Sequence, residues 1–468
     1  MFRLLTVLTT LAAVAFATPS AAAPDRWKAK AREIFAKAIS IPTVQGRGKV
    51  PELVDYLAAE FRARGFPAED VTVVPVDDTA ALVVRLRGDG SAKKKPILLL
   101  SHMDVVDARP EDWSKDPFKL IEEDGYFYGR GTLDVKEGVA ALTTVFLRLK
   151  AEKFVPTRDL VIVFTGDEET TGATSIYLTT QRRDLIDAEY ALNSDAGGGG
   201  FDKDGKPLGY GLQAAEKTYA SYTLTVTNPG GHSSAPRADN AIYELAGGLA
   251  KLEAYQFPIE VNDITLGYFR ETARFRTGPA AEAMRRFAED PSDQEAAAVI
   301  AHEAGENGIL RTTCTPTLLA GGHGENALPQ KAQATVNCRI FPGTTPEAVK
   351  ATLQGVVGAG VKVEIIGAPL ASPASPLRKD VMDAYTRAVR SKFPGMPVIP
   401  GMSAGATDGL YFRAAGIPTY GVDGGWIVSP EDERAHGRDE RFPVEAFYWE
   451  LDHWDRMIRD LAGRKKRR

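Results

Sequence analysis

Asp167, Glu168 and Glu169 close an apolar run, Val161-Ile-Val-Phe-Thr-Gly. The pattern could set one carboxylate on a metal and its neighbour on a water or a substrate. The run has the composition of a buried strand. Side chains in extended backbone alternate in direction, so adjacent glutamates there would face opposite sides. Adjacent unpaired carboxylates are costly unless solvent or a cation compensates them. Taken alone, the three acids read more simply as a solvated turn. Other short polar stretches change that balance. Ser101-His-Met-Asp104 follows Leu98-Leu-Leu100, Asp134 sits in the glycine-flanked stretch 129–138, and Asp195 lies in Asn193-Ser-Asp-Ala-Gly197. Acid and imidazole groups thus follow one apolar run after another, as they would at one rim of one sheet.

Positioning them needs strands that end together. The spacing of apolar residues predicts helices over 27–39, 50–64, 138–151 and 172–181, and strands over 71–76, 81–86, 96–100, 160–164 and 188–193. Strand and helix in alternation predict an α/β fold: a mixed, largely parallel sheet with helices on both faces. Chemistry in such sheets gathers at the carboxyl ends of the strands. The chain changes character near Gln213. Strands over 219–226, 310–319, 332–341 and 361–366, helices over 239–255 and 348–357, and a polar helical insertion near 280–305 predict a smaller α+β unit. Residues 24–212 and 369–468 would then form one domain, and 213–368 an inserted second one.

The 468 residues are too many for one ordinary core, and the net charge of -5 points to no nucleic-acid partner. Residues 1–23 read as an export leader: Arg3, an apolar stretch over 4–17, and small residues at Ser20-Ala-Ala22. Nothing later is a transmembrane candidate, so a periplasmic or secreted chain with no membrane contact after cleavage is expected. Export permits disulfides. Cys314 and Cys338 lie twelve residues before and twelve after Asn326, the middle of the connection between two predicted strands. A hairpin there could bring the two cysteines within bonding reach. The basic tail over 464–468 is assigned no role.

The chain resembles the two-zinc exopeptidases and amidohydrolases that include glutamate carboxypeptidase, aminoacylase, carnosinase, acetylornithine deacetylase and succinyl-diaminopimelate desuccinylase. The matching pieces occur in that family's order: His102-Met-Asp104, Trp113-Ser-Lys-Asp-Pro-Phe118, Tyr128-Gly-Arg-Gly131 with Asp134, Gly166 to Glu169, Asp195, Gly231-His-Ser-Ser234, Asn326-Ala-Leu-Pro329 and His436. One departure is Asp134-Val135, where many members carry Asp-Asp, Asp-Asn or Asp-Met; the ligand itself is kept.

The resemblance implies two Zn²⁺ per subunit, with Co²⁺ or Mn²⁺ as substitutes. Asp134 would bridge them, His102 and Asp195 completing one site and Glu169 and His436 the other. Three carboxylates and a hydroxide balance two such ions, and imidazole with carboxylate is ordinary zinc chemistry. Asp104 would orient the His102 ring. Glu168 would be the general base. The smaller unit would be a lid and dimerisation domain. His232 would stabilise the oxyanion, in many members from the partner subunit of a homodimer, while Asn326 and Arg339 would hold the substrate carboxylate. His302, His323 and His453 match nothing.

These residues imply an exported zinc exopeptidase of carboxypeptidase or dipeptidase type, acting on small peptides with a free carboxylate. An N-acyl-amino-acid amidohydrolase is the alternative; the peptidase is preferred because an exported enzyme plausibly scavenges peptides. Two other classes are set aside. Gly401-Met-Ser-Ala-Gly405 fits a serine-hydrolase elbow, with Asp408 or Asp423 and His436 completing a triad. Only about 60 residues follow Ser403, too few for the rest of that fold, and the acidic rim would go unexplained. A non-catalytic binding protein on this scaffold would have no need of all five ligands and Glu168.

Overall fold

The computed structural model describes residues 25–464. The expected leader and the end of the basic tail lie outside the described residues. The large sheet has eight strands, in the spatial order Val71–Val76, Thr79–Leu86, Leu160–Thr165, Ile97–His102, Tyr190–Phe201, Thr419–Val428, Pro207–Glu216 and Val398–Ser403. Leu160–Thr165, Ile97–His102, Tyr190–Phe201 and Thr419–Val428 form its parallel centre. Antiparallel pairings flank them.

The unbroken apolar runs of the central strands are buried along their whole length. Alternation then feeds two cores. Ile97, Leu99, Leu160 and Ile162 pack into one, with the helices Arg26–Ser40, Lys136–Ala151 and Val444–Ala462. Leu98, Leu100, Val161 and Val163 pack into the other, with Leu178 and Phe412 from the helices Ala173–Gln181 and Gly409–Ala414. The sheet is therefore covered on both faces, as its composition requires. The helix Lys136–Ala151 sits close to the sheet at Gly138, where an added Cβ would meet Ser194 Oγ at 2.4 Å. That approach brings Asp134, just before the helix, beside Asp195 on the strand.

The chain changes sheets between Glu216 and Thr218, beside the change expected at residue 213. The second sheet is antiparallel, in the order Thr313–Gly321, Lys331–Ile340, Thr218–Thr227 and Lys362–Ile366. The helices Ala241–Ala254 and Pro346–Val357 pack on one face of it. The structure joins Cys314 and Cys338, which stand directly opposite each other in its first two strands, in a disulfide. The helical insertion is wider than the stretch 280–305. It holds the helices Asp263–Thr272, Pro279–Glu289, Gln294–Ile300 and Ala304–Leu310, around a core of its own that includes Phe269, Met284, Phe287 and Ile300.

Candidate metal centre

Three acids follow Leu160–Thr165, but the strand stops at Thr165 and they lie in a turn. Strand alternation therefore does not orient them. Hydrogen bonds do. Asp167 accepts the backbone N–H of Thr174 (3.0 Å) and the hydroxyl of Thr171 (2.5 Å), fixing the start of the next helix. The Asp104 carboxylate accepts the backbone N–H groups of Glu168 (3.1 Å) and Glu169 (3.0 Å). Asp104 is expected to orient the His102 ring, a role a carboxylate often fills. The closer contact to His102 Nδ1 is instead the Asp104 main-chain oxygen, at 3.0 Å, with the carboxylate at 3.5 Å. Asp195 was expected after its strand. It lies within Tyr190–Phe201, where the ladder with Thr419–Val428 breaks between Asn193 and Gly197. Such a break frees a side chain to turn out of register.

The carboxylate of Asp134 then stands between two donor sets. Its Oδ1 is 3.1 Å from His102 Nε2, which is 3.7 Å from Asp195 Oδ1. Its Oδ2 is 3.0 Å from His436 Nε2, which is 3.0 Å from Glu169. Among the described residues these form two groups able to hold a metal, His102–Asp134–Asp195 and Asp134–Glu169–His436. Ligands about 2.0–2.2 Å from a tetrahedral ion stand roughly 3.3–3.5 Å from one another, close to these separations. Imidazole nitrogens and carboxylate oxygens, with one carboxylate offering an oxygen to each set, fit a pair of divalent cations.

Electrostatics agree with that fit. His102 is held well above the ordinary imidazole range: burial works against its charge, but Asp195, Asp104 and Asp134 outweigh it. Hydrogen bonds to Asp134 and Glu169 lift His436 to about 10. Burial pushes Asp195 up to about 7 against the pull of His102. Burial, then Asp195, push Glu168 up to about 10. The side chains alone thus collect protons, as carboxylates crowded together away from water must, and cations would take the place of those protons.

The sequence signature of the peptidase family M20/M25/M40 matches residues 98–460. The chain belongs to that family. It is 32% identical to the human N-fatty-acyl-amino acid synthase/hydrolase PM20D1 over 373 residues, covering 75% of this chain and 71% of the relative. Pig (Sus scrofa) aminoacylase-1 is 26% identical, covering 92% and 95% of the two chains. The fold matches an M20 family metallo-carboxypeptidase, Sso-CP2 from Sulfolobus solfataricus, with a TM-score of 0.68 at 18% identity over 92% of this chain and 98% of that one. It also matches the di-peptidase Dug1p from Saccharomyces cerevisiae, with a TM-score of 0.64 at 17% identity over 93% and 96%. The chain is thus an enzyme of the metallopeptidase and amidohydrolase class.

Other candidate residues fall elsewhere in this M20 chain. His232 is exposed on the short strand Gly231–His232, which pairs with Ala327–Leu328, and Asn326 O accepts the backbone N–H of Ser233 (2.9 Å). His232 and Asn326 are thus neighbours near the tip of the hairpin Thr313–Gly321/Lys331–Ile340. Arg339 is at the far end of that hairpin, about 26 Å along the strand from Lys331. There its guanidinium covers the Tyr219 ring at 4.8 Å and donates to Ala404 O at 2.7 Å. One chain does not bring these three together.

The serine triad is not assembled. Ser403 Oγ accepts the N–H of Gly405 (2.9 Å), Asp408 accepts from Ser175 (2.5 Å) and Thr165, Asp423 accepts the N–H of Gly425 (2.9 Å), and His436 is taken by Asp134 and Glu169. His453 is a core residue bound to Val422 O at 2.9 Å.

Some residues escaped the sequence reading. Glu440 is buried, and its Oε1 accepts the backbone N–H groups of Gly131 (3.0 Å), Leu133 (2.7 Å) and Asp134 (3.2 Å). Its other oxygen pairs with Arg130. Lys136 Nζ is buried and donates to Ala38 O (2.9 Å) and Ile41 O (2.8 Å), anchoring the helix after Asp134. Asp408, named above only as a possible triad acid, is buried against Ser175 and Thr165, and that burial pushes it up to about 6. Arg130 in the Gly-Arg-Gly motif was the one available signal; nothing in the sequence pairs it with Glu440.

Proposed function

We propose that this M20 enzyme uses two zinc ions to hydrolyse the amide bond between an acyl group and an amino acid with a free carboxylate. The observation that carries the reading is Asp134, each of whose oxygens faces a different histidine-containing donor set. Asp134, His102 and Asp195 would hold one ion; Asp134, Glu169 and His436 the other. Bound there, the ions would supply Lewis-acid charge at the scissile carbonyl and a more acidic water. Glu168 takes the proton from the attacking water on its carboxylate and returns it to the leaving nitrogen. Asp104 holds the amide groups of Glu168 and Glu169 and so keeps base and ligand in register. Arg339 presents a fork suited to the substrate carboxylate.

Of the two acyl sides, an N-acyl amino acid comes first, because the 32% identical human relative is an N-fatty-acyl-amino acid synthase/hydrolase. The sequence alone favoured a peptide. That second reading draws support from the carboxypeptidase and di-peptidase of like fold. We read the enzyme as exported, periplasmic or secreted, from its leader; the Cys314–Cys338 bond favours an oxidising compartment. A homodimer through the lid is in keeping with Leu318 and Leu319, 68% and 71% exposed on its edge strand. Initial rates of the zinc-loaded mature chain on long-chain N-acyl, N-acetyl and dipeptide substrates test the assignment. Fastest turnover is expected on an N-acyl amino acid and none after chelation. Faster dipeptide cleavage would move the assignment to the second reading, and activity that survives complete metal removal would end both.

A further inference from the structure

Lys217 stands where the chain leaves the large sheet for the small one, and it is 3% exposed. A buried ammonium is costly without partners. The partners of Nζ are Gly308 O (2.8 Å), Arg311 O (2.7 Å) and, more distantly, Thr313 Oγ1 (3.4 Å). Burial pulls the Lys217 pKa down to about 8, against the attraction of Glu260. The two carbonyls lie at and just past the end of the helix Ala304–Leu310, where they lack helical partners and favour a cation. The preceding side chain, Glu216, is bound on the catalytic side, accepting from Gln213 (2.6 Å) and Thr407 (2.5 Å) and pairing with Arg413.

Two of the Lys217 contacts, to Thr313 and to Ser403, lead to the surroundings of Arg339. Thr313 lies directly opposite Arg339 in one neighbouring strand, and Tyr219 opposite it in the other. The Lys217 backbone N–H donates to Ser403 O at 2.9 Å, one residue before the Ala404 carbonyl that accepts from Arg339. Lys217 thus ties together the edge strand, the central strand and the loop that enclose the guanidinium. We propose that Lys217 is a positioning residue for Arg339, setting the reach of its fork toward the substrate carboxylate without touching substrate itself. The inference rests on Arg339 being the carboxylate-binding residue.

The test compares an N-acyl amino acid with its C-terminal amide on the zinc-loaded enzyme, in the parent, Lys217→Met and Arg339→Ala. A displacement of about 1 Å can cost up to about 100-fold, so Lys217→Met should raise KM for the free acid roughly tenfold. KM for the amide should stay within about twofold and zinc content should not change. A purely structural lysine would alter both substrates alike, and that result overturns the inference. If Arg339→Ala discriminates acid from amide while Lys217→Met does not, the inference fails and the carboxylate reading stands. If Arg339→Ala fails to discriminate, both fall. Should Lys217→Met not fold, Lys217→Gln, which keeps one donor, is read by the same comparison.

Discussion

The buried carboxylate of Glu440 accepts the backbone N–H of Asp134 at 3.2 Å. Its partner Arg130 also donates to Gly437 O at 2.9 Å, the residue after His436. One ion pair therefore braces both the turn that presents Asp134 and the turn that presents His436 from the other end of the chain. The candidate ligands Asp134 and His436 are far apart in sequence, and this pair links the turns that carry them.

Breaking that pair should be felt twice. Glu440→Gln leaves the Arg130 guanidinium buried without a counter-charge, which costs roughly 3–5 kcal/mol. It also loosens Asp134, which both donor sets share. Thermal unfolding should show the lost stability, and metal analysis should show both sites depleted together. A variant with full metal content and the parent's stability would remove Glu440 from this role.

Glu168 touches no other ligand's role and can be tested alone. Glu168→Gln keeps the size of the side chain but cannot take a proton. It should retain two metal ions and lose about 10²- to 10⁴-fold in kcat. Asp134→Ala should instead lose the metals themselves. If Glu168→Gln turned over substrate as fast as the parent, another group would be the base.

Metal loading should depend on pH with a definite sign. In metal-free protein the His436 pKa is raised to about 10, so its contribution to stability is complete below its ordinary pKa of 6.5. That contribution is lost as the pH rises through about 10. Cations need the same nitrogen bare, and His102, also raised, bare as well. Metal affinity should therefore increase with pH across neutrality, with about two protons released per chain from the imidazoles. Calorimetry in buffers of different ionisation enthalpy counts them. An affinity unchanged between about pH 6 and 8 would reject the imidazole ligands.

Most of the candidate ligands were legible because they sit in a short polar stretch beside an apolar strand or a glycine turn, whereas the ligand role of His436 was implied only by the family resemblance. His102, Asp134, Glu169 and Asp195, with the candidate base Glu168, all carry that local mark, and the alternation of strands with helices already implied a sheet covered on both faces. What holds the ligands carried no such mark. Glu440 and Lys136 bond mainly to main-chain groups, and main-chain partners leave no trace in side-chain identity. Periodicity misled at Glu168 and Glu169, where the strand had already ended and Asp104, two residues past the neighbouring strand Ile97–His102, does the orienting. Asp195 was placed too late for the opposite reason: the strand continues through glycines that have little strand propensity.

The disulfide should report both chemistry and compartment. Cys314 and Cys338 are 24 residues apart, and closing a loop of that size contributes roughly 3 kcal/mol in the chain-entropy account. Thiol titration of unfolded, unreduced protein should find no free thiol. Reduction should lower the unfolding temperature while leaving metal content unchanged. Two titratable thiols in the unreduced protein would reject the bond.

His232 poses a problem that a single chain does not solve. It lies beside Asn326 near the tip of the hairpin Thr313–Gly321/Lys331–Ile340, while Arg339 lies at the hairpin's base against Ala404. The strand between Lys331 and Arg339 alone spans about 26 Å, so the two ends cannot serve one substrate in this conformation. If His232 stabilises the oxyanion, a lid tip from a second copy must supply it. The Nδ1 atom of His232 is held by Ser234 Oγ at 2.8 Å, which leaves Nε2 for an incoming group. His232→Ala should then lower kcat with metal content intact, as loss of a contact made only in the transition state does. Mixing impaired His232→Ala subunits with impaired Glu168→Gln subunits should raise activity above that of either alone, because some sites would combine an intact base with an intact partner histidine. Mixed dimers verified by differential tagging that show no such rise would place His232 outside a shared site.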